Sequence, residues 1–243
     1  ELQAQKDMVV VVTGADLDFK INNRSAPTWH TLQVKQHDTL SWQLPKKGIR
    51  AYLAVKGGFE TVSLFGSKSV NLRENIGAKI ANDELLNCKQ SHQKESQFVS
   101  NDYLPDYQQE AITLRLLPSY QFNEFSVNQR DLFFNQSYTI SNASDRTGCR
   151  LSGAPIALKR EKMISEGMSY GSVEIATDGL PIILLKDAPT IGGYPKIGTV
   201  FSLDLAKLAQ KQPNSKLRFK LISVSEAQQE RLTFNQFFKI ADR

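Results

Sequence analysis

Cysteine and histidine are scarce in this chain. Its 243 residues include two cysteines and three histidines, and neither residue type shows the spacing of a metal site. Two cysteines, Cys88 and Cys149, are also too few for the disulfide framework of a small secreted domain. We therefore expect no bound metal and a reduced, cytoplasmic protein.

Long apolar runs are absent as well. The longest lie at 8–12 and 180–185, whereas a membrane-spanning helix needs about 20 apolar residues, and no secretory signal pattern is present. The net charge of +5 comes from 30 basic and 25 acidic residues. These charges are interspersed, while a nucleic-acid binder usually shows a basic face with aromatic platforms. We expect neither a membrane nor a nucleic acid as a partner.

Common catalytic motifs are missing too. There is no Gly-x-Ser-x-Gly elbow, and no local pattern suggests a Cys–His pair. The loop at 66–69, Gly-Ser-Lys-Ser, lacks the spacing of a phosphate-binding P-loop. Its backbone N–H groups could still cradle an anion, although such a loop is more often a plain turn.

Short β-like segments make up most of the chain. The run Met8–Val12 is rich in β-branched residues, which favour a strand deep in a sheet. Further strands are predicted by alternation or by apolar content at 17–21, 31–34, 39–44, 49–55, 111–117, 137–141 and 217–224. The fold class predicted is mainly β with a few short helices.

Three short helices and one connector complete the predicted organisation. Helices are expected at 128–135, at 204–210 with Asp204 as its cap, and at about 226–238. Ser225 and Gln228 match a capping box for the last helix. The stretch 89–110 is polar and poor in aliphatic residues, as exposed connectors are. We therefore divide the chain into subdomains at 1–100 and 101–243.

The stretch 141–199 concentrates the candidate site residues. It holds eight of the fourteen glycines, which indicates tight turns or close backbone approach. Two nearby arginines, Arg146 and Arg150, could clamp a carboxylate or phosphate. Glu166 or Asp178 could act as a general base in a closed pocket. Each residue alone is more often part of a turn or a surface ion pair, so only their concentration among glycines favours a site.

Ordered motifs in the chain carry a family resemblance. They are, in order, Val-Thr-Gly-Ala-Asp-Leu at 12–17, Gly-Ile-Arg-Ala-Tyr-Leu-Ala-Val-Lys-Gly-Gly at 48–58, Leu-Phe-Gly-Ser-Lys-Ser at 64–69, Ser-Asp-Arg-Thr-Gly-Cys-Arg-Leu at 144–151, Ser-Glu-Gly at 165–167, Asp-Gly-Leu-Pro-Ile at 178–182 and Gly-Gly-Tyr-Pro-Lys at 192–196. Together they cover nearly the whole chain. The chain resembles the biotin-dependent carboxyltransferase family, also called allophanate hydrolase subunit 2, which includes the C-type subunit of 5-oxoprolinase and the KipA regulators.

The resemblance implies a fold, partners and a site. The fold is two linked β-barrel-like subdomains, the second cyclophilin-like. The partner is an allophanate hydrolase subunit 1-like protein (the B-type subunit of 5-oxoprolinase, or a KipI-like protein), with a LamB/YcsF-like subunit as a further candidate. The implied catalytic residues are Arg146, Arg150, Glu166 and Asp178. The implied substrate-binding residues are Ser67, Thr190, Gly192, Gly193, Tyr194 and Lys196.

Several positions depart from the family pattern. The family usually opens with a glycine-rich segment that contains a Gln-Asp-x-Gly-Arg motif, and we expect that this chain lacks that segment. Glu174 and Ala176 stand where the family tends to have Gln and Pro. Ala188 and Pro189 stand where it tends to have Arg and Gln, so two polar groups that could hold a carboxylate or carboxamide are missing.

Three functions are compatible with the resemblance. The first is a subunit of an ATP-dependent 5-oxoprolinase-type complex that hydrolyses a small amide or lactam, with ATP acting at the level of the complex. The second is a carboxyltransferase acting on urea or a related amide, which would need biotin on a separate carrier. The third is a non-catalytic, KipA-like regulator that binds a subunit 1-like partner, which the missing polar residues at 188 and 189 favour.

Overall fold

The computed structural model describes residues 1–89, 96–109, 111–157 and 164–240. The chain divides into two compact units, Glu1–Gln108 and Gln109–Arg243, whereas the sequence places the boundary between residues 100 and 101. Among the described residues, no helix combines the length and the apolar character that crossing a bilayer requires.

The first unit is built from strands. Those in its described residues are β1 (Leu2–Gln3), β2 (Met8–Asp16), β3 (Lys20–Ile21), β4 (Arg24–Ser25), β5 (Thr31–Val34), β6 (Thr39–Ser41) and β7 (Lys47–Val55). They form a four-stranded sheet in the order β1-β6-β3-β4 and a three-stranded sheet in the order β5-β2-β7. Val10, Val12 and Phe19 are buried in the core of this unit, so the β-branched run lies inside a sheet as predicted.

The second unit contains the remaining strands and the helices. Its strands are β8 (Ala111–Pro118), β9 (Tyr138–Ile140), β10 (Gly148–Ser152), β11 (Glu166–Gly167), β12 (Ser172–Ile175), β13 (Pro181–Leu184), β14 (Ile191–Gly192), β15 (Lys196–Val200) and β16 (Lys216–Leu221). Its helices are α1 (Val127–Asn135), α2 (Ser202–Leu208) and α3 (Val224–Phe237).

Seven strands of the second unit close into a barrel. Their order is β10-β13-β12-β15-β8-β16-β9, and β9 pairs again with β10. Apolar side chains such as Leu114, Val173 and Ile197 are fully buried in its core. The prediction of a mainly β protein with a barrel and short helices is confirmed. The relation to cyclophilin barrels stays a prediction.

Helix α3 begins two residues earlier than its predicted cap implies. Ser223, not Ser225, is the N-cap residue, and its hydroxyl accepts a hydrogen bond from the backbone N–H of Glu226. The Glu226 carboxylate in turn accepts from the Ser223 N–H at 2.9 Å. The predicted capping box is therefore wrong by two residues, because Ser223-x-x-Glu226 satisfies both orphan donors reciprocally.

Asp204 is not the cap of α2, as the sequence predicts. The helix starts at Ser202, and Asp204 lies in its first turn with a fully buried side chain. That carboxylate accepts from Nε and Nη2 of Arg115 on β8, at 2.8 and 2.9 Å. Arg115 also binds Glu230 on α3, so one guanidinium connects the barrel to two helices.

Candidate functional site

A short β-ribbon covers part of the outer face of the barrel. Strands β11 and β14 pair antiparallel, with Glu166 opposite Gly192. Val173 and Ile175 of β12 point into the barrel core, so the alternating residue Glu174 points outward. A Cβ atom on Gly192 would lie 2.7 Å from Oε1 of Glu174. The ribbon backbone therefore lies directly over the Glu174 carboxyl, where only glycine leaves enough room.

Glu166 and Lys196 form the central ion pair of this region. Nζ of Lys196 lies 3.1 Å from Oε1 of Glu166, with side chains that are 13% and 23% exposed. The same ammonium donates to the carbonyl of Gly167 at 3.3 Å. Because Lys196 begins β15 of the barrel and Glu166 lies on the ribbon, this pair connects the ribbon to the barrel wall.

Tyr120 and Gln121 complete the surroundings of Glu166. The Tyr120 hydroxyl donates to Oε2 of Glu166, and the Gln121 amide donates to Oε1 at 3.2 Å. Gln121 is itself buried, and its Oε1 accepts from the backbone N–H of Lys196 at 2.6 Å. Both oxygens of Glu166 therefore have donors, which favours the ionised carboxylate.

Glu174 is the third charged residue of the cluster. It lies opposite Lys196 on the neighbouring strand, next to a register shift between Val173 and Glu174. Only 6% of the residue is exposed, and its Oε1 has no hydrogen-bond partner among the described residues. Burial raises the pKa of this carboxyl, the positive charge of Lys196 lowers it and the nearby Glu166 raises it further. We call Glu166, Glu174 and Lys196 the ribbon cluster.

Arg146 does not pair with Arg150 to form an open clamp. Its guanidinium makes a two-pronged contact with Asp187, from Nε to Oδ2 at 2.6 Å and from Nη2 to Oδ1 at 3.0 Å. Hydrogen bonding to Arg146 holds the pKa of Asp187 below its usual range. Arg150 lies on β10 with an exposed side chain. The planar fork of Arg146 is therefore already engaged by a carboxylate of the same chain.

Asp178 lies at a distance from the Arg146–Asp187 pair. It occupies the turn between β12 and β13, where Oδ1 accepts from the Leu180 N–H at 3.0 Å, and it is exposed. Asp178 precedes β13 and Asp187 follows it. The four residues of β13 span about 13 Å. The structure therefore gives Asp178 a role in a turn and separates it from Arg146 by the length of a strand.

The segment 190–196 reaches the barrel through backbone contacts. The Thr190 carbonyl accepts from the Met168 N–H at 2.8 Å, and the Pro195 carbonyl accepts from the Ile175 N–H at 2.9 Å. The Thr190 side chain is exposed, while Gly193 and Tyr194 are half-buried. Of the predicted substrate-binding residues in this segment, Gly192 and Lys196 lie in or against the ribbon cluster.

Ser67 belongs to the first unit. It closes a turn in which Leu64 and Ser67 exchange backbone hydrogen bonds, and its hydroxyl accepts from the Ser69 N–H at 3.1 Å. Lys68 donates to the Phe59 carbonyl at 3.1 Å. This loop uses its lysine and a backbone donor internally, so it does not fit the phosphates of a nucleotide such as ATP.

Other potential sites are few. No group of three His, Cys, Asp or Glu residues within 1–89, 96–109, 111–157 and 164–240 is arranged to hold a metal ion. The first unit has a cleft of about 500 Å³ that includes Trp29 and Tyr107, and none of the predicted site residues lines it. The sequence missed Tyr120 and Gln121, which belong to no recognisable motif, and named Glu174 only as a departure from the family pattern.

Comparison with known proteins places the chain in a family. The model of the carboxyltransferase domain, subdomain A and B, matches residues 1–221. The chain belongs to this family. The carboxyltransferase-domain chain is 32% identical over 232 residues to a C-type subunit of 5-oxoprolinase from Haemophilus influenzae, which covers 93% of this chain and 73% of that protein.

Relatives of a second kind are much longer than the carboxyltransferase-domain chain. It is 27% identical over 244 residues to a putative urea carboxylase of Emericella nidulans, and this match spans 93% of the chain and 20% of that protein. The crystal structure of the Kluyveromyces lactis urea carboxylase superposes with a TM-score of 0.85 at 21% identity, over 96% of the chain and 23% of that structure. This likeness supports the fold of the domain.

Proposed function

We propose that the chain is a subunit of a 5-oxoprolinase-type complex, which hydrolyses a small amide or lactam at the expense of ATP. The observation that carries this proposal is the 32% identity to the C-type 5-oxoprolinase subunit of Haemophilus influenzae over 73% of its length. ATP would bind elsewhere in the complex, since the loop around Ser67 uses Lys68 and the Ser69 N–H internally.

The ribbon cluster offers the groups that such a substrate requires. Lys196 supplies a positive charge for a substrate carboxylate or for the oxyanion that develops at an amide carbonyl. Glu166 supplies an acceptor for a substrate N–H, and Tyr120 and Gln121 hold its orientation. Fixed donors and acceptors of this kind act best in partly buried surroundings, where water does not screen them.

The proposed partners follow from the same similarity. A protein that is one named subunit of an enzyme implies others, and we propose an allophanate hydrolase subunit 1-like protein and a LamB/YcsF-like protein. The complex would act in the cytoplasm. On this proposal, the purified chain alone has no ATP-dependent lactam hydrolase activity.

A urea carboxylase-type activity is the second candidate. The similarity to the Emericella nidulans protein favours it, and it would require carboxybiotin on a carrier that other proteins supply. In that case the ribbon cluster would orient urea, a planar molecule with the same carbonyl and N–H groups as an amide.

Reconstitution distinguishes the candidates. The chain would be co-expressed with the two partner proteins and purified as a complex, and 5-oxoproline-dependent formation of glutamate and ADP would be measured. A parallel assay would contain urea, bicarbonate and a biotinylated carrier with its biotin carboxylase. We expect turnover of 5-oxoproline only by the full set. Turnover in the urea assay alone would establish the second candidate, and a stable complex without either activity would indicate a regulator.

A further inference from the structure

Glu174 is buried more deeply than a carboxylate usually is. It lies between the outer face of β12 and the ribbon backbone at Gly192, and its Oε1 has no hydrogen-bond partner among the described residues. An unpartnered buried carboxylate is costly. Glu174 therefore stands apart from Glu166, although both lie near the same ammonium group.

We propose that Glu174 is a positioning residue whose own proton controls whether Lys196 can bind a carboxylate group of the ligand. The inference deepens the proposed function, on which it rests for the choice of 5-oxoproline as a ligand. Glu174 acts through Lys196 and does not itself contact the ligand.

The charge balance of the ribbon cluster supports this role. The groups that face Glu174 within the described residues are Lys196 on β15 and Glu166 on β11, while β14 contributes only Gly192 and β13 places Ile182 opposite. With Glu174 neutral, the charges of Lys196 and Glu166 cancel. With Glu174 ionised, the cluster carries a net charge of about −1 and repels an anionic ligand.

The two glutamates have environments that separate their proton affinities. Glu166 accepts hydrogen bonds from Tyr120 and Gln121 and is paired with Lys196, so it remains ionised. Burial, the first cause, raises the pKa of Glu174. Neighbouring carboxyl groups with such different surroundings are the usual way in which a site assigns one group to hold a proton and the other to stay charged.

Two consequences follow for binding. Binding of a carboxylate ligand at Lys196 takes up a proton at Glu174 whenever the pH lies above the pKa of that residue. The affinity then falls by up to about tenfold per pH unit in this range, because only the neutral form of Glu174 accepts the anion. Glutamine at position 174 has the same shape but cannot ionise, so its affinity stays constant with pH.

The experiment uses the full chain with 13C-labelled glutamate carboxyl groups. The carboxyl signals are followed by NMR between pH 4 and 9, and Glu174→Gln assigns the signal of Glu174 by its loss. The titration is repeated with acetate and with 5-oxoproline as probes, and binding of each probe is measured against pH. Glu124→Gln, which removes an exposed charge in the same unit, is the matched control.

We expect the pKa of Glu174 to lie above the ordinary glutamate range without ligand and to rise further with either probe. We also expect Glu174→Gln, but not Glu124→Gln, to abolish the pH dependence of binding. An ordinary pKa, a pKa that neither probe shifts, or an unchanged pH dependence in Glu174→Gln would overturn the inference.

Failure of the inference is distinguishable from failure of the proposed function. If the reconstituted complex hydrolyses 5-oxoproline with the same pH profile in wild type and in Glu174→Gln, the inference fails and the function stands. If acetate raises the pKa of Glu174 but the complex does not hydrolyse 5-oxoproline, the function fails and the proton coupling at Lys196 stands.

Discussion

Glu174 and Lys196 lie opposite each other on neighbouring barrel strands, yet the ammonium of Lys196 binds Glu166 on the ribbon instead. The barrel wall thus carries a buried carboxyl, and the lysine beside it reaches outward to a second one. This arrangement ties the ribbon to the barrel and concentrates three ionisable groups at one place. The predictions below test the packing, the electrostatics and the function of this region.

Gly192 tests how closely the ribbon packs on the barrel. A Cβ at this position would lie 2.6 Å from Cε of Met168 and 2.7 Å from Oε1 of Glu174. We expect Gly192→Ala to lower the free energy of unfolding by about 1–3 kcal/mol, as overpacking does. Gly167→Ala on the same ribbon is the control, because nothing lies within 4 Å of its added Cβ. Equal unfolding free energies for both variants in urea denaturation would contradict the packing described.

Asp204 tests the buried ion pair beside the barrel. Its side chain is fully buried, and removing its charge would leave the guanidinium of Arg115, which is 16% exposed, without its main partner. We expect Asp204→Asn to destabilise the protein by about 3–5 kcal/mol. Glu230→Gln removes the outer partner, which is 47% exposed, and should cost no more than about 1 kcal/mol. Chemical denaturation of both variants measures the difference.

The stability of the protein should depend on the ionisation of Glu174. Burial raises its pKa in the folded state, so the folded protein binds this proton more tightly than the unfolded chain does. The contribution is fully present below the ordinary glutamate pKa of about 4.3 and is lost as the pH rises through the folded-state value. Each unit by which the pKa is raised costs about 1.4 kcal/mol at high pH.

Comparison of Glu174→Gln with wild type isolates this effect from other carboxyl groups. The variant cannot ionise at position 174, so its stability relative to wild type should be more favourable at pH 8 than at pH 5. Urea denaturation at the two pH values gives both differences. A relative stability that is the same at pH 5 and pH 8 would show that Glu174 titrates alike in the folded and unfolded states.

The two cysteines should differ in reactivity. Cys149 is buried, and burial raises its pKa to about 11, so little of the reactive thiolate forms at neutral pH. Cys88 is only partly buried. In the folded protein, we expect an aromatic disulfide reagent to label Cys88 and to reach Cys149 only after denaturation. Equal labelling rates for Cys88→Ser and Cys149→Ser would refute this.

Local patterns in the sequence predicted the strands better than the helix starts. The β-branched run at Met8–Val12 and the segment 31–34 both lie in strands of the structure, because their burial follows from their own composition. Two overlapping capping boxes precede α3, and the sequence alone did not select Ser223 over Ser225. Asp204 was misassigned because its partner, Arg115, is 89 residues away in the chain.

The candidate site was predictable only where motifs surround its residues. Glu166, Gly192 and Lys196 belong to glycine-rich motifs, and the structure brings them together. Tyr120 and Gln121 lie in a connection after β8 without a motif, and only the folded barrel brings them to Glu166. The glycine cluster also grouped Arg146 with Asp178, although the length of β13 separates them, because nearness in sequence does not imply nearness across a strand.

Lys196 provides the most direct test of the account. We expect Lys196→Ala to reduce 5-oxoproline-dependent ATP hydrolysis by the reconstituted complex by about 100-fold or more, because the positive charge for the substrate is lost. Lys216→Ala, which removes an exposed lysine on β16, should leave the rate unchanged, and co-purification with the partner proteins confirms assembly of both variants. If the assembled Lys196→Ala complex hydrolyses 5-oxoproline at the wild-type rate, the ribbon cluster is not the functional site.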